Sequence, residues 1–399
     1  MPEWQKSKKF PVHLSLGEFC LMPDSLGISV EKFKSRLAEG RPEFILDLRN
    51  EDEFNAWRIE GRRPLATLNI PQVDFVGEED KYLERLPRDR EIIITCAHGD
   101  ASKYVAEVLR DKGFRALGLI GGMDAWSVLY ETSRLAITPE IEIHQTYRIA
   151  KGCISGVVIS EGEAVVIDPV RHLDAIKAVI ARHQARIKYV FDTHLQADHI
   201  SGGRELARSA GCEYLINQAD ALGAAYDYRD LRDGAAFEFG KCRIVAVHSP
   251  GHTPGSTSLL LNNRYLFGGD LIMRTTIGRP DLGGMVEAWA ELLYHTIHET
   301  CGRLGDDTVI LPSHAASVTE RDENGLVSFS LGRARRELEL FAIKDRGEFL
   351  AYVKATLLEN PDRYRDIRQV NLGLLAVAEE GMRELEIGRN LCGMSGKQG

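Results

Sequence analysis

In the second half of this 399-residue chain, short apolar runs repeatedly stop at a polar motif. Tyr189-Val190-Phe191 leads into Thr193-His194-Leu195-Gln196-Ala197-Asp198-His199, and a run ending at Val247 leads into Ser249-Pro250-Gly251-His252-Thr253-Pro254-Gly255. Tyr265 to Phe267 meets Gly268-Gly269-Asp270, and Thr308 to Leu311 meets Pro312-Ser313-His314. Short runs of this kind, bounded by Gly and Pro, read as buried strands. The chain must therefore build a sheet with one edge that gathers histidines and carboxylates, the side chains that ligate metal ions. Gly202-Gly203 followed by Arg204-Glu205-Leu206-Ala207 reads as a turn entering a helix directly after the first motif.

The length exceeds one ordinary core, so two domains are expected, and 44% apolar residues is enough to pack both. A formal net charge of -9 gives no electrostatic reason to expect nucleic acid or a membrane as partner. Nothing near Met1 resembles a secretory segment, since Trp4 to Phe10 is Lys-rich, and no apolar run approaches membrane-spanning length; the reading is a cytoplasmic protein, with a homodimer as the default assembly. The seven cysteines are odd in number and lack the paired spacing of a zinc finger or disulfide framework. Most read as ordinary buried thiols; Cys96 and, on weaker grounds, Cys392 stand apart.

After an N-terminal extension over 1–26, helical and strand patterns alternate from Ile28 to Ile120, which argues a parallel α/β sheet over 27–133. The strand Ile92-Ile93-Ile94-Thr95 ends at Cys96, which places that thiol in front of a helix N-terminus. Thr138-Pro139 punctuates regular structure, so 134–140 reads as a linker and 141–399 as the second domain with a charged, helical tail from Leu331. Gly156 to Ser160 and Ala164 to Ile167 read as a hairpin ending at Asp168-Pro169.

The second domain, from Asp168 through His314, resembles the metallo-β-lactamase superfamily, whose fold is an αββα sandwich. The remaining histidines (His13, His144, His172, His183, His248, His295 and His298) read as ordinary core or surface residues. The superfamily loop usually runs His-x-His-x-Asp-His, whereas Gln196 occupies the second histidine position here. A neutral amide is a poor zinc ligand, which disfavours a full two-zinc centre but leaves His194, His252 and Asp270 as a two-histidine, one-carboxylate set suited to non-haem Fe(II).

That set, together with Leu271-Ile272-Met273-Arg274 and Gly278-Arg279-Pro280-Asp281-Leu282, is similar to the persulfide dioxygenase (sulfur dioxygenase) branch. The resemblance implies one Fe(II) per chain, with zinc the lesser alternative, and oxidation of a small thiol persulfide by O2 to sulfite. Arg279 and Thr253 are then substrate-contacting residues, with an internal pair between Arg279 and Asp281 as the competing reading for the arginine. Asp198, His199 and His314 complete a second metal site in hydrolases of the superfamily; here they are expected to orient ligands and a water. Asp168 is expected to support the turn or those ligands.

The first domain, with Asp47-Leu48-Arg49, Asn69-Ile70-Pro71, Gly121-Gly122-Met123-Asp124-Ala125-Trp126 and the loop Cys96-Ala97-His98-Gly99-Asp100-Ala101-Ser102, resembles the rhodanese fold. Members of that family carry a sulfane sulfur on the loop cysteine. Active loops usually hold an arginine where this chain has Ala101, and Asp100 adds an anion, so sulfur transfer by Cys96 and a degenerate relay domain stand as equal readings. Glu384 to Gly393 is similar to the C-terminal segment of rhodanese-linked members, against a frayed end as the other reading.

The expectation is an α/β chain: a rhodanese-like parallel domain, then a metallo-β-lactamase-like sandwich for which the resemblance implies persulfide dioxygenase activity. The competing readings are a zinc thioester hydrolase of the glyoxalase II type and a non-catalytic sulfane-sulfur carrier.

Overall fold

A computed structural model describes residues 26–41 and 43–394. The expected N-terminal extension, with Cys20 and His13, lies outside the described residues apart from Leu26.

The first domain is a five-stranded, all-parallel sheet in which Ile92–Thr95 pairs with Phe44–Asp47 on one side and Ala116–Leu119 on the other. Strands buried on both faces read as continuous apolar runs. Leu46, Ile92 and Ile94 accordingly pack on Val105 and Leu109 of one helix, while Ile45, Ile93 and Leu117 pack on Phe33 and Trp126 across the sheet. Between the third and fourth strands the chain makes a pair of tight 3₁₀ turns, Glu79–Lys81 and Leu83–Arg85.

The second domain is a sandwich of a seven-stranded and a six-stranded sheet. Val158, Val165, Ile167 and Phe191 of one sheet meet Phe237, Ile244, Leu259 and Phe267 of the other, which makes the central core. Alternate residues face outward: Val157, Val166 and Val190 cover Ile176, Val179 and Leu206 on helices, and Leu266 and Ile310 cover Ala290, Leu293 and Phe349. This is the αββα order expected, with a helical layer outside each sheet.

Residues 134–140 differ from the expectation of a linker. Tyr130–Thr138 is a strand that pairs antiparallel with Ile141–Arg148, and Pro139-Glu140 is the turn between them. The Thr-Pro signal marked a hairpin turn, a use of the same backbone chemistry that local sequence does not separate from a linker. Where the first domain's last helix ends at Ser127, the sandwich begins almost at once. Arg62 donates to the carbonyl of Asp322 across the seam (2.7 Å), and Arg389 pairs with Glu60.

Candidate metal centre

Three strand ends and a turn bring His194, His252 and Asp270 together, each at most 2% exposed, with their ligating atoms within 4.8 Å of one another. Hydrogen bonds decide which nitrogen of each ring faces inward. Thr193 Oγ1 donates to Asp168 and so accepts from His194 Nδ1 (2.9 Å), while His252 Nδ1 donates to the backbone carbonyl of Arg279 (2.9 Å). Both rings are thereby held in the tautomer whose Nε2 lone pair is bare. Asp270 accepts from His314 Nδ1 on Oδ1 (2.6 Å), which leaves Oδ2 free.

The three inward atoms, His194 Nε2, His252 Nε2 and Asp270 Oδ2, are buried without a hydrogen-bond partner. Asp270 Oδ2 lies 3.7 Å from the first nitrogen and 3.4 Å from the second. Ligand atoms about 2.1 Å from one ion sit about 3–3.4 Å apart, close to this spacing. Bare acceptors converging in a dry interior repel unless a cation lies among them, so the donor set fits a metal ion. Burial pushes the His194 imidazole down to about 3, which keeps it the free base that a metal requires. Burial alone would raise the Asp270 carboxyl, but His314 with the other two imidazoles holds it below the usual range.

A second cluster adjoins the first. Cys153 Sγ, Asp198 Oδ2, His199 Nε2 and His314 Nε2 lie within 4.8 Å of one another, all buried. His199 Nδ1 donates to Asp198 Oδ1 (2.9 Å), so both rings again aim an unpartnered Nε2 at the cluster. Cys392 completes a further group with Asp270 and His314. Cys153 carries no sequence signal because it sits alone in the chain; its isolated bridge to His314 is what brings it here.

Gln196 does not join the triad in this structure. Its amide donates to Asp168 (3.2 Å), and its Oε1 has no hydrogen-bond partner. Asp168 itself sits at φ 48° and also receives the Thr193 amide (2.7 Å) and the Ser313 hydroxyl, so it ties together the loops that carry His194 and His314. Asp220, which carried no sequence signal, plays the matching part for the other loops: it accepts from the Leu195 amide (2.8 Å), the Gly255 amide (2.8 Å) and Thr253 Oγ1 (2.6 Å). Thr253 is therefore committed to loop structure and is only 3% exposed. At Gly278 an added Cβ would strike the carbonyl of Asp270 and sit 2.9 Å from His252 Nδ1, so this position has to be glycine.

Arg279 is fully buried. Its guanidinium makes a bidentate pair with Asp281, both contacts at 2.6 Å, and also donates to the carbonyls of Leu358, Glu359 and Leu391. The internal-pair reading describes this geometry, and the residue's backbone carbonyl, not its charge, orients His252. Arg279→Lys is expected to cost about 1–3 kcal/mol, since a point cation cannot make the fork. Urea unfolding would measure it; an unchanged midpoint would contradict the strut role.

In the first domain the Gly99 amide donates to Cys96 Sγ (3.1 Å). Gly122, at φ 54°, lies so near the carbonyl of Cys96 that a Cβ there would collide with it. His98 Nδ1 lies 2.7 Å from Asp124 Oδ2, and Arg383 of the C-terminal helix lies 3.5 Å from the same carboxylate. Asp47 and Arg49 form a buried pair, with Asn69 donating to both of their backbone carbonyls, so those motif residues are scaffolding. The tail is not frayed within the described residues: the Arg279 amide donates to the Cys392 carbonyl (2.8 Å), and Tyr364 Oη accepts from the Leu391 amide (2.7 Å).

Residues 29–129 match the rhodanese-like domain family and residues 150–314 match the metallo-beta-lactamase superfamily. The chain thus joins a rhodanese-like domain to a metallo-β-lactamase-superfamily domain. Within those classes it is similar to the mitochondrial persulfide dioxygenase ETHE1 of Bos taurus, 36% identical over 156 residues, a match covering 38% of this chain and 59% of that protein. It is also similar to a hydroxyacylglutathione hydrolase of Brucella anthropi, 29% identical over 147 residues, covering 36% of this chain and 56% of the relative. The chain spans less than two thirds of the length of either relative. The crystal structure of ETHE1 from Myxococcus xanthus shares the fold, with a TM-score of 0.51 at 24% identity over 58% of this chain and 99% of that one.

Proposed function

We propose that the second domain is an Fe(II)-dependent persulfide dioxygenase with one iron per chain, acting on the persulfide of a small thiol such as glutathione. The balanced reaction is RSSH + O2 + H2O → RSH + HSO3− + H+, in which the outer sulfur is oxidised and O2 reduced. The observation that carries this reading is the set of three orphaned donor atoms, His194 Nε2, His252 Nε2 and Asp270 Oδ2, while the neighbouring imidazole of His314 is turned to donate to Asp270 Oδ1. A two-histidine, one-carboxylate face leaves open positions, and iron bound there would supply oxygen activation. Thr193 and the Arg279 carbonyl fix the two imidazoles, and His314 holds Asp270, so the protein presents a rigid face. The similarity to a persulfide dioxygenase supports the substrate class.

A zinc thioester hydrolase is the second reading, favoured by the adjoining Cys153, Asp198, His199 and His314 cluster and by the similarity to a hydroxyacylglutathione hydrolase. Metal analysis joined to oxygen uptake separates them: about one iron per chain with persulfide-dependent uptake is expected, while about two zincs with thioester cleavage would overturn the proposal.

Cys96 is proposed to carry sulfane sulfur within the same molecule, where tethering raises its effective concentration. Cys96→Ser is expected to leave oxygen uptake with soluble glutathione persulfide unchanged and to remove the persulfide adduct seen by mass spectrometry on the first domain. Loss of uptake would make this thiol part of the oxidation itself.

A further inference from the structure

A third group of ligand-type side chains lies away from both clusters. Glu142 and His144 project from the start of the strand Ile141–Arg148, and His183 caps the C-terminal end of the helix Asp174–Arg182. That strand reaches the Cys153 cluster only at its other end, where Arg148 bonds to the carbonyl of Cys153. The six residue steps from Glu142 to Arg148 span roughly 20 Å at ~3.3 Å each.

Glu142 Oε2 sits 3.1 Å from His144 Nε2 and 3.6 Å from His183 Nε2, and the three atoms lie within 4.8 Å of one another. These separations bracket the ~3.4 Å edge of a tetrahedron with ~2.1 Å metal–ligand bonds. Arg134 takes the other oxygen, Oε1, at 3.1 Å, so it neutralises Glu142 without occupying the shared face. The two rings meet edge to face, 5.1 Å between centroids, which sets both Nε2 atoms toward the carboxylate. His144 is buried and its other nitrogen, Nδ1, has no partner, so its ring is positioned by this contact alone among its polar atoms. A cavity of about 260 Å3, lined by Glu140, Ile159, Glu161 and His183 among others, opens beside the group and gives an ion and its water access.

We infer that Glu142, His144 and His183 form a peripheral site for a divalent transition ion of the zinc class, with water completing the coordination. Imidazole nitrogen and one carboxylate suit zinc, nickel or cobalt and not magnesium or calcium, which take oxygen donors. A bound ion would tie the strand Ile141–Arg148 to the end of the helix packed on it, so its occupancy would raise thermal stability.

The test uses the full chain with its principal centre already filled. Zinc titrated into this protein is expected to bind with one further equivalent and to raise the melting temperature, and cobalt in its place is expected to give the visible bands of a tetrahedral nitrogen and oxygen site. His183→Ala, at a partly exposed helix end, and Glu142→Gln are each expected to lose that equivalent and the rise, with iron content and circular dichroism unchanged. The same zinc stoichiometry and rise in both variants, or no zinc bound beyond the principal centre, would overturn the site. Neither result bears on the persulfide reading, since none of the three residues touches the principal triad.

Discussion

His252→Ala is expected to abolish persulfide-dependent oxygen uptake and to empty the principal centre of metal. Mutating the outer partners of a metal ligand typically costs 10–100-fold, so deleting a ligand is expected to exceed about a hundredfold. The substitution removes one of two imidazoles from a three-atom face, leaving His194 Nε2 and Asp270 Oδ2 as a two-point site. The fold is expected to survive, because the lost ring makes one hydrogen bond to the protein, to the Arg279 carbonyl. Iron analysis and oxygen uptake on the same preparation make the check, and a variant that retains its iron and turns over normally would sink the assignment.

The second large effect concerns stability and falls on a residue remote in sequence from every motif. Glu386 is 2% exposed and pairs with Arg148 at 3.1 Å and Arg171 at 2.9 Å, while its Oε1 accepts from the Ile200 amide at 2.9 Å. Lys151 donates to the carbonyls of Glu386 and Gly388 alongside, so the tail is clamped to the loop that follows His199. Among the described residues, Glu386→Ala would take the only carboxylate partner from the buried Arg148 guanidinium and one of two from the partly buried Arg171, and is expected to cost about 3–5 kcal/mol. Calorimetry would read the loss as a lower melting temperature, and an unchanged temperature would show that the clamp is idle.

The same carboxylate sets an acid limit. Burial alone would raise the Glu386 carboxyl, but Arg148 and Arg171 outweigh it and hold it down to about 2, against 4.5 for the free group. A depressed folded value stabilises above the unfolded one, so this contribution is complete above pH 4.5 and drains away as pH falls toward 2. The melting temperature of the native protein is expected to fall more steeply across that window than that of Glu386→Gln; parallel curves would contradict the linkage.

Much of this architecture can be read from local patterns. Ile92-Ile93-Ile94 announces a doubly buried strand because both faces of a parallel sheet are covered, and the motifs at His194, His252, Asp270 and His314 announce strand ends because Gly and Pro bound them. Tyr130–Thr138 carries no legible strand pattern because Glu131, Thr132, Ser133 and Arg134 interrupt its apolar alternation at the edge of the sheet, where one side needs no core. Thr253 and Arg279 read as substrate contacts by resemblance, yet here both side chains are consumed by internal partners, Asp220 and Asp281.

The order of residues along the chain settled which donor types are available: two imidazoles and a carboxylate at strand ends, and an amide where a third imidazole would complete a bimetallic loop. Folding alone settled which atom of each donor faces the centre, because that depends on the Thr193 hydroxyl as turned by Asp168, on the carbonyl of Arg279 and on His314, contacts made between separate loops. Cys153, Asp220 and Glu386 entered the account for the same reason. A hydrogen bond or ion pair between residues tens to hundreds of positions apart leaves no trace in periodicity or spacing, and exists only once the two sheets and the tail have packed.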